Sequence, residues 1–486
     1  MRWRQKLSLL LVLGLAATIG SDAGEPQQVL AITHAAIIDP ATGSLRTDQT
    51  VVIAAGRIQR IVPSANYQPE KGARIIEARG KYLIPGLWDM HVHIAGISAD
   101  PKWSKNVILP LLIAQGIIGV RDMGGDLAVL QQWRREIENG QLLGPHIVTG
   151  GPMLVSGGKR TPEQIPIKDA DEARAAVKSL KLQGADFIKI IDLPSREAFY
   201  AVADEAKKQN LPFVGHVPPV VTASEASDAG MRSIEHVVYS NLEMDCSAKE
   251  DELRAAERAA RATHEEGTSA KLLQEAMTSY DADKAAALWQ RFRRNGTWLV
   301  PTLVSIEALS RHNAGPETQA KDPRLEYVPD SLRKEWDPTK PENQFSAGEQ
   351  QWWAQQYIND GKLTTAMHNG GVALLAGSDS LDRYVFPGFA LHRELELLNE
   401  AGLTPLEALQ TATRNPAKFL EREQDIGTIR EGAQADLVLL EGNPVEQISN
   451  TTRIAAVIRS GVYLDRAALD KLLNQAKTGA KAASTK

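Results

Sequence analysis

The chain has 486 residues, 43% of them hydrophobic and 24% charged, which is enough for a large core and more than one domain and too apolar for general disorder. Its formal net charge of -5 supplies no basic field, so a nucleic-acid partner is not expected. The single cysteine, Cys246, cannot form an internal disulfide, and the fold has to be held by its core.

In chain order, Arg2, Arg4 and Lys6 precede an apolar run over residues 7–17, and Ser21-Asp22-Ala23 supplies the small residues of a cleavage site. The pattern predicts a secretory signal peptide over residues 1–23 and a periplasmic or secreted mature protein. A membrane anchor needs about 20 apolar residues, and this run is shorter, so no membrane association is expected after cleavage. Residues 29–38, 50–62 and 73–77 are short β-rich runs, with Gly56 at a hairpin-like turn. Residues 436–440 and 453–464 repeat that texture around Ser460-Gly461. The two ends are expected to pair into one small β-sandwich domain, made of residues 27–84 and 425–466.

Between them, strands alternate with helices, which predicts an α/β fold with a parallel sheet. Eight candidate strands fall at residues 82–93, 116–123, 146–154, 186–191, 212–217, 233–237, 298–305 and 372–380. Eight is the number that closes a (β/α)8, or TIM, barrel, here over residues 85–424. Helical patterns over residues 169–183, 195–209, 389–401 and 404–413 stand where that barrel needs them, with Gly184 and Gly402 in stop positions. Two connections, 239–297 and 306–371, are too long for simple loops. Both follow strand C-termini, so they are expected to rise over the barrel mouth as a lid, with Trp352-Trp353 packing lid on barrel. The tail, 467–486, is expected to begin as helix and then fray.

Residues two apart on a strand share a face, so in Pro85-Gly86-Leu87-Trp88-Asp89-Met90-His91-Val92-His93 the two histidines project side by side. They are half of a metal site or a pair of core histidines satisfied by backbone carbonyls. The other strand ends carry Lys189, His216, His236 and Asp379. Each alone has an ordinary explanation: Lys189 could snorkel, His216 could close a strand, and Asp379 could cap the next segment. Barrel active sites are built from strand C-terminal ends, and the joint occurrence of these six at five such ends argues for one constellation.

With those residues, the chain resembles the metal-dependent amidohydrolase superfamily, and within it the branch of imidazolonepropionase-like proteins and Xaa-Pro dipeptidases. The likeness is carried by Pro85 to His93, Ala185-Asp186-Phe187-Ile188-Lys189-Ile190, Gly215-His216-Val217-Pro218, Ile234-Glu235-His236 and Gly377-Ser378-Asp379. Leu403-Thr404-Pro405, Ala412-Thr413-Arg414-Asn415-Pro416 and Ala435-Asp436-Leu437 extend it toward the C-terminus. The resemblance implies two divalent ions, zinc in the first instance. His91, His93 and Asp379 would hold one, His216 and His236 the other, and Lys189, carboxylated by carbon dioxide, would bridge them. It further implies a shared hydroxide as nucleophile, with Asp379 as ligand and general base.

The expected reaction is cleavage of an amide or peptide bond in dipeptides or N-acyl amino acids, with lactones or carboxylic esters as the alternative. Deaminases of the superfamily carry a Glu shortly after the fifth-strand His, whereas here Val217-Pro218-Pro219-Val220 follows His216. A chain that had lost catalysis would be expected to lose ligands, and none of the six is missing. Tyr239, three residues past His236, is expected to orient a carbonyl or stabilise the oxyanion. Arg121 or Arg383 would hold a substrate carboxylate, while Asp122, Lys159-Arg160 and Tyr384 read as loop residues. The expected partner is a small molecule or short peptide, and assembly into a homo-oligomer stays open.

Overall fold

Strands from the two ends of the chain meet in one curled eight-stranded sheet in the computed structural model, which describes residues 29–96, 100–263, 268–312 and 315–483. The expected signal peptide lies outside those residues. Leu30–Ile38, Leu45–Ala54, Arg57–Pro63, Arg74–Glu77 and Tyr82–Pro85 come from the N-terminal side, and Leu437–Leu440, Ile454–Arg459 and Val462–Asp465 from the C-terminal side. The join is antiparallel, with Leu437 opposite Pro85 and Leu440 opposite Tyr82. Aliphatic side chains on the inner face of both halves, among them Ile32, Ile37, Val51, Leu83, Leu437 and Ile458, share one core. That common core is why segments some 350 positions apart in sequence pair at all, since neither half alone can bury its apolar face.

Two parallel sheets lie between these ends. One holds Leu87–Val92, Ile117–Asp122 and His146–Thr149; the other holds Met153–Val155, Gln164–Pro166, Ile188–Ile190, Phe213–Gly215, Ser233–Glu235 and Trp298–Val300. Backbone hydrogen bonds connect them at both edges. Asp186 N donates to Thr149 O at 2.8 Å on one side. On the other, residues 372–380 bridge Leu299 to Leu374 and Val92 to Ser380. Helices follow the strands as the sequence predicts: Ala170–Leu182 capped by Asp169, Arg196–Lys208 capped by Ser195, and Pro405–Thr411 opened by a Thr404/Glu407 capping box.

The two long connections are largely helical and pack on each other. Met244, Leu253, Leu272 and Ile306 form a small core against which Trp352 and Trp353 rest, so the tryptophans pack insertion on insertion and not lid on barrel as expected, because most of the apolar side chains within their reach belong to the other insertion. Trp353 also reaches the site, with its ring centroid 6.4 Å from that of Tyr239.

The tail differs from its expectation. Helix Arg466–Ala483 continues through the Lys/Ala-rich segment instead of fraying. Leu469, Ala476 and Ala480 are buried, and a Cβ at Gly479 would lie 3.0 Å from Val107 Cγ2, so small residues let the helix approach Ser104–Ile108 closely. Leu469→Ala should therefore cost about 2–4 kcal/mol. The check is a denaturant or thermal unfolding curve; an unshifted midpoint would mean that the helix is not docked in solution.

Candidate metal centre

All six candidate ligands line one cavity of about 290 Å³ at the C-terminal ends of the parallel strands. Strand parity brings His91 and His93 to it from Leu87–Val92 and the residue beyond. Lys189 reaches it from the middle of Ile188–Ile190, and His216 and His236 immediately follow Phe213–Gly215 and Ser233–Glu235. Asp379 stands at the centre. Its Oδ1 is 3.3 Å from His91 Nε2 and 3.4 Å from His93 Nε2, and its Oδ2 is 3.8 Å from His236 Nε2. His91, His236 and Asp379 each offer a ligand atom within 4.8 Å of the others. The His216 ring lies 5.1 Å from that of His236.

The outer nitrogens of three imidazoles fix which face carries the lone pair. His91 Nδ1 lies 2.9 Å from Glu235 Oε2, and His93 Nδ1 3.1 Å from the Gly124 carbonyl. Carboxylate and carbonyl oxygens only accept, so both Nδ1 atoms carry the proton. His236 Nδ1 lies 2.6 Å from Thr302 Oγ1, whose own hydrogen is donated to Pro301 O at 2.8 Å, and the same tautomer follows. Three Nε2 atoms thus converge on one carboxylate; burial would lower the His93 imidazole, but its hydrogen bond to Asp379 and that charge hold it above its ordinary range, so a proton there answers the carboxylate in part and a metal cation would take its place. Outer hydrogen bonds of this kind are how metal-binding histidines are held.

The electrostatics agree. Burial holds the His91 imidazole well below its ordinary range against the pull of Asp379, and pushes His236 down to about 4, so both rings are neutral near pH 7. Burial would raise the Asp379 carboxyl, but His91, His236 and His93 together hold it below the usual carboxylate range. Lys189 has no exposed surface, and its Nζ has no hydrogen-bond partner. Burial brings its amine down to about 8, with Glu235 and Asp379 opposing. An unpartnered amine of that acidity has a substantial neutral fraction, the form that takes up carbon dioxide. Donor set and amine therefore fit a divalent-metal centre with a carboxylated lysine.

The backbone is shaped to this end. Asp379, His236 and Thr302 hold left-handed φ values of 56°, 60° and 50°, each costing on the order of 1 kcal/mol for a residue with a Cβ. A Cβ at Gly377 would lie 2.6 Å from His91 Cβ, so only glycine lets the Asp379 segment approach the histidine strand. Asp89 locks that approach, accepting from Ser378 Oγ at 2.6 Å and from Ser378 N at 2.9 Å.

Tyr239 lies where the sequence predicts, lining the cavity and stacked on His216 at 5.6 Å. Burial, and then the charges of Asp382, Asp379 and Asp360, hold its phenol above the ordinary range, so it remains a neutral donor. The two arginines do not meet their expectation. Arg121 has no exposed surface: its guanidinium donates to Glu235 Oε1 and Oε2 at 2.8 and 2.9 Å, to Met90 O at 2.7 Å and to Ser233 Oγ at 3.0 Å, and no donor faces the mouth. Arg383 turns away, toward the Asn343 carbonyl at 3.5 Å, and is not among the lining residues. Asp122 is buried and accepts from Ile94 N at 2.8 Å, Lys159 and Arg160 are exposed, and Tyr384 packs on Trp336 and Phe386.

Sequence reasoning passed over Glu235, although it stands inside a quoted motif. The available signal was parity: Ser233 and Glu235 lie two apart on a buried strand, so both face inward. Removing the charge with Glu235→Gln should loosen His91 and lower metal affinity by about 10–100-fold. Competition against a chromogenic chelator measures this, and unchanged affinity would mean that His91 is oriented by something else.

The amidohydrolase family model matches residues 82–464. Ochratoxinase of Aspergillus niger is 23% identical over 484 residues, covering 88% of this chain and 84% of its own. Among solved structures, a Xaa-Pro dipeptidase with bound methionine in the active site aligns at a TM-score of 0.65 and 21% identity, over 90% of this chain and 100% of its own. Bottromycin amidohydrolase aligns at 0.70 and 22%, over 93% and 90%. These structural likenesses establish a shared fold, and the family match spans every candidate ligand. The chain belongs to the amidohydrolase family and is a metal-binding hydrolase that acts on amide bonds.

Proposed function

We propose that this chain is an exported hydrolase, working in the periplasm or outside the cell, that uses two divalent ions, zinc in the first instance, to cleave the amide bond of a dipeptide or an N-acyl amino acid. The observation that carries the reading is the convergence of three proton-locked imidazoles, one carboxylate and one unpartnered buried amine on a single cavity. His91, His93 and Asp379 would hold one ion, His216 and His236 the other, and Lys189 as its carbamate would stand between them. Bound there, the ions would supply Lewis acidity and a water molecule acidic enough to act near neutral pH.

The chain's own groups supply the rest. Asp379 accepts the proton of the attacking water and delivers it to the leaving nitrogen. Tyr239, held neutral, donates to the oxygen on which negative charge develops. Trp353, from the 306–371 insertion, reaches Tyr239, which supports the insertions as a lid that would limit water access. The supporting architecture is a (β/α)8 barrel over residues 85–424, with a β-sandwich domain made of 27–84 and 425–466. Hydrogen bonds at both edges of the parallel sheets and the pairing of the chain ends support that reading. Deamination is disfavoured because Val217-Pro218-Pro219-Val220 offers no acid, and Glu235 is turned to Arg121 and His91. The ochratoxinase, the Xaa-Pro dipeptidase and the amidohydrolase among the relatives are named for activities compatible with an amide substrate.

A panel of Xaa-Pro and other dipeptides, N-acyl amino acids, lactones and aryl esters, run with zinc, cobalt or manganese, tests the reaction. Amides should be turned over, and lactones outpacing every amide would overturn the assignment. Elemental analysis should find two ions per chain. Lys189→Ala should lose one ion and nearly all activity, with short carboxylic acids restoring part of both. Lys189→Arg should fail, because a guanidinium stays cationic and forms no carbamate; an active Lys189→Arg enzyme would sink the bridge.

A further inference from the structure

One acid in the cavity wall has no part in the assignments above. Asp382 lines the cavity with Tyr239, three residues beyond Asp379; the residue keeps exposed surface, while burial of its carboxyl and then the Asp379 charge push that group up to about 7. It is also held in place: fully buried Ser305 donates its hydroxyl to Asp382 Oδ2 at 2.8 Å. Among the described lining residues, Lys189 is the only lysine or arginine. Arg121 is matched by Glu235 inside the barrel, and Arg383, next to Asp382 in sequence, leans toward the Asn343 carbonyl. Lys159 and Arg160 sit on the exposed loop between Met153–Val155 and Gln164–Pro166 and form no part of the wall. A substrate carboxylate therefore meets no free cation in this wall, whereas a substrate cation meets an anchored carboxylate. Tyr239 shares the wall with it.

We propose that Asp382 binds the free α-ammonium group of the substrate, so that the enzyme acts on amides of unblocked amino acids rather than on N-acyl amino acids. The inference rests on the amide-hydrolase reading and selects within it. Covalent geometry supports the placement. An α-nitrogen lies roughly 2.5 Å from the carbonyl carbon of its own residue, so the group that recognises it has to stand beside the reacting centre, as a residue sharing the wall with Asp379 and Tyr239 does. An α-amino group has a pKa of about 8 and is mostly cationic near pH 7, so the pair is charge-assisted. Acylating the nitrogen removes that charge and adds bulk in a cavity of about 290 Å³.

The experiment measures kcat and KM of the metal-loaded full chain on aminoacyl-proline dipeptides and aminoacyl arylamides, each beside its N-acetylated counterpart. The unsubstituted enzyme should prefer the free amine by about 10²-fold in kcat/KM, with most of the difference in KM, as for a lost charge pair. Asp382→Asn should collapse that ratio toward one, and Asp382→Glu should keep most of it. In parallel, inhibition by a free amino acid amide should weaken in Asp382→Asn, while inhibition by the N-acetylated amide should not follow it. A ratio that survives Asp382→Asn, or an unsubstituted enzyme that treats free and acetylated substrates alike, overturns the proposal and leaves amide hydrolysis standing. Absence of turnover on every amide, free or blocked, overturns the underlying reading and this inference with it.

Discussion

A guanidinium with no exposed surface has to be neutralised where it lies, because the effective penalty for an unpaired buried charge is several kcal/mol. Arg121 meets that requirement on Glu235, which contributes both oxygens to it and still accepts from Ser233 and His91. The consequence runs outward. A carboxylate fixed against Arg121 fixes the His91 proton on Nδ1, and the lone pair on Nε2 then points at Asp379. Two buried charges, contributed by strands 114 residues apart, thus set the direction of one candidate ligand.

The opposite side of the centre is held by a different device. Asp89 bonds both the amide and the hydroxyl of Ser378, and Gly377 allows the two segments to close to a distance that no side chain would permit. Asp379 is then delivered in a left-handed conformation that it would not adopt in an open loop. Strain of this sort persists only where surrounding structure over-determines it, and here the surroundings are the buried Asp89 and a close backbone approach. Rigidity of the metal centre is therefore a property of the strands and not of the lid.

Much of this was legible in the sequence because it is governed by local rules. Parity on a strand placed His91 and His93 on one face, and the restriction of barrel chemistry to strand C-termini picked out Lys189, His216, His236 and Asp379, all of which line the same cavity. Capping residues and glycine stops placed the helices closely. What could not be read depends on partners remote in sequence. Arg121 looked like a substrate clamp because strand position says that a side chain faces inward, but not how far below the mouth it lies or that Glu235 faces it. The tail looked frayed because Ala and Lys carry little hydrophobic signal, while the surface formed by Asn106 and Val107 that accepts Gly479 is contributed by another part of the chain. Asp382 escaped for the same reason, since only the folded wall shows that no cation accompanies it.

Size is no guide to the working end of the strands. A cavity of about 660 Å³ opens at their N-terminal ends, more than twice the size of the one holding the six ligands. Its polar groups, however, answer one another: Arg134 pairs with Asp186 at 2.5 Å, Arg232 with Glu421 at 3.1 Å, and His146 with Asp436 at 2.7 Å. Groups already paired in this way lose interactions when a ligand intrudes. In the smaller cavity three imidazoles crowd a single carboxylate, and an amine is left with no hydrogen-bond partner. Such an arrangement is stabilised only by what comes in from outside, first cations and then a substrate that can share them. Unmet electrostatic demand, rather than space, marks the working end of this fold.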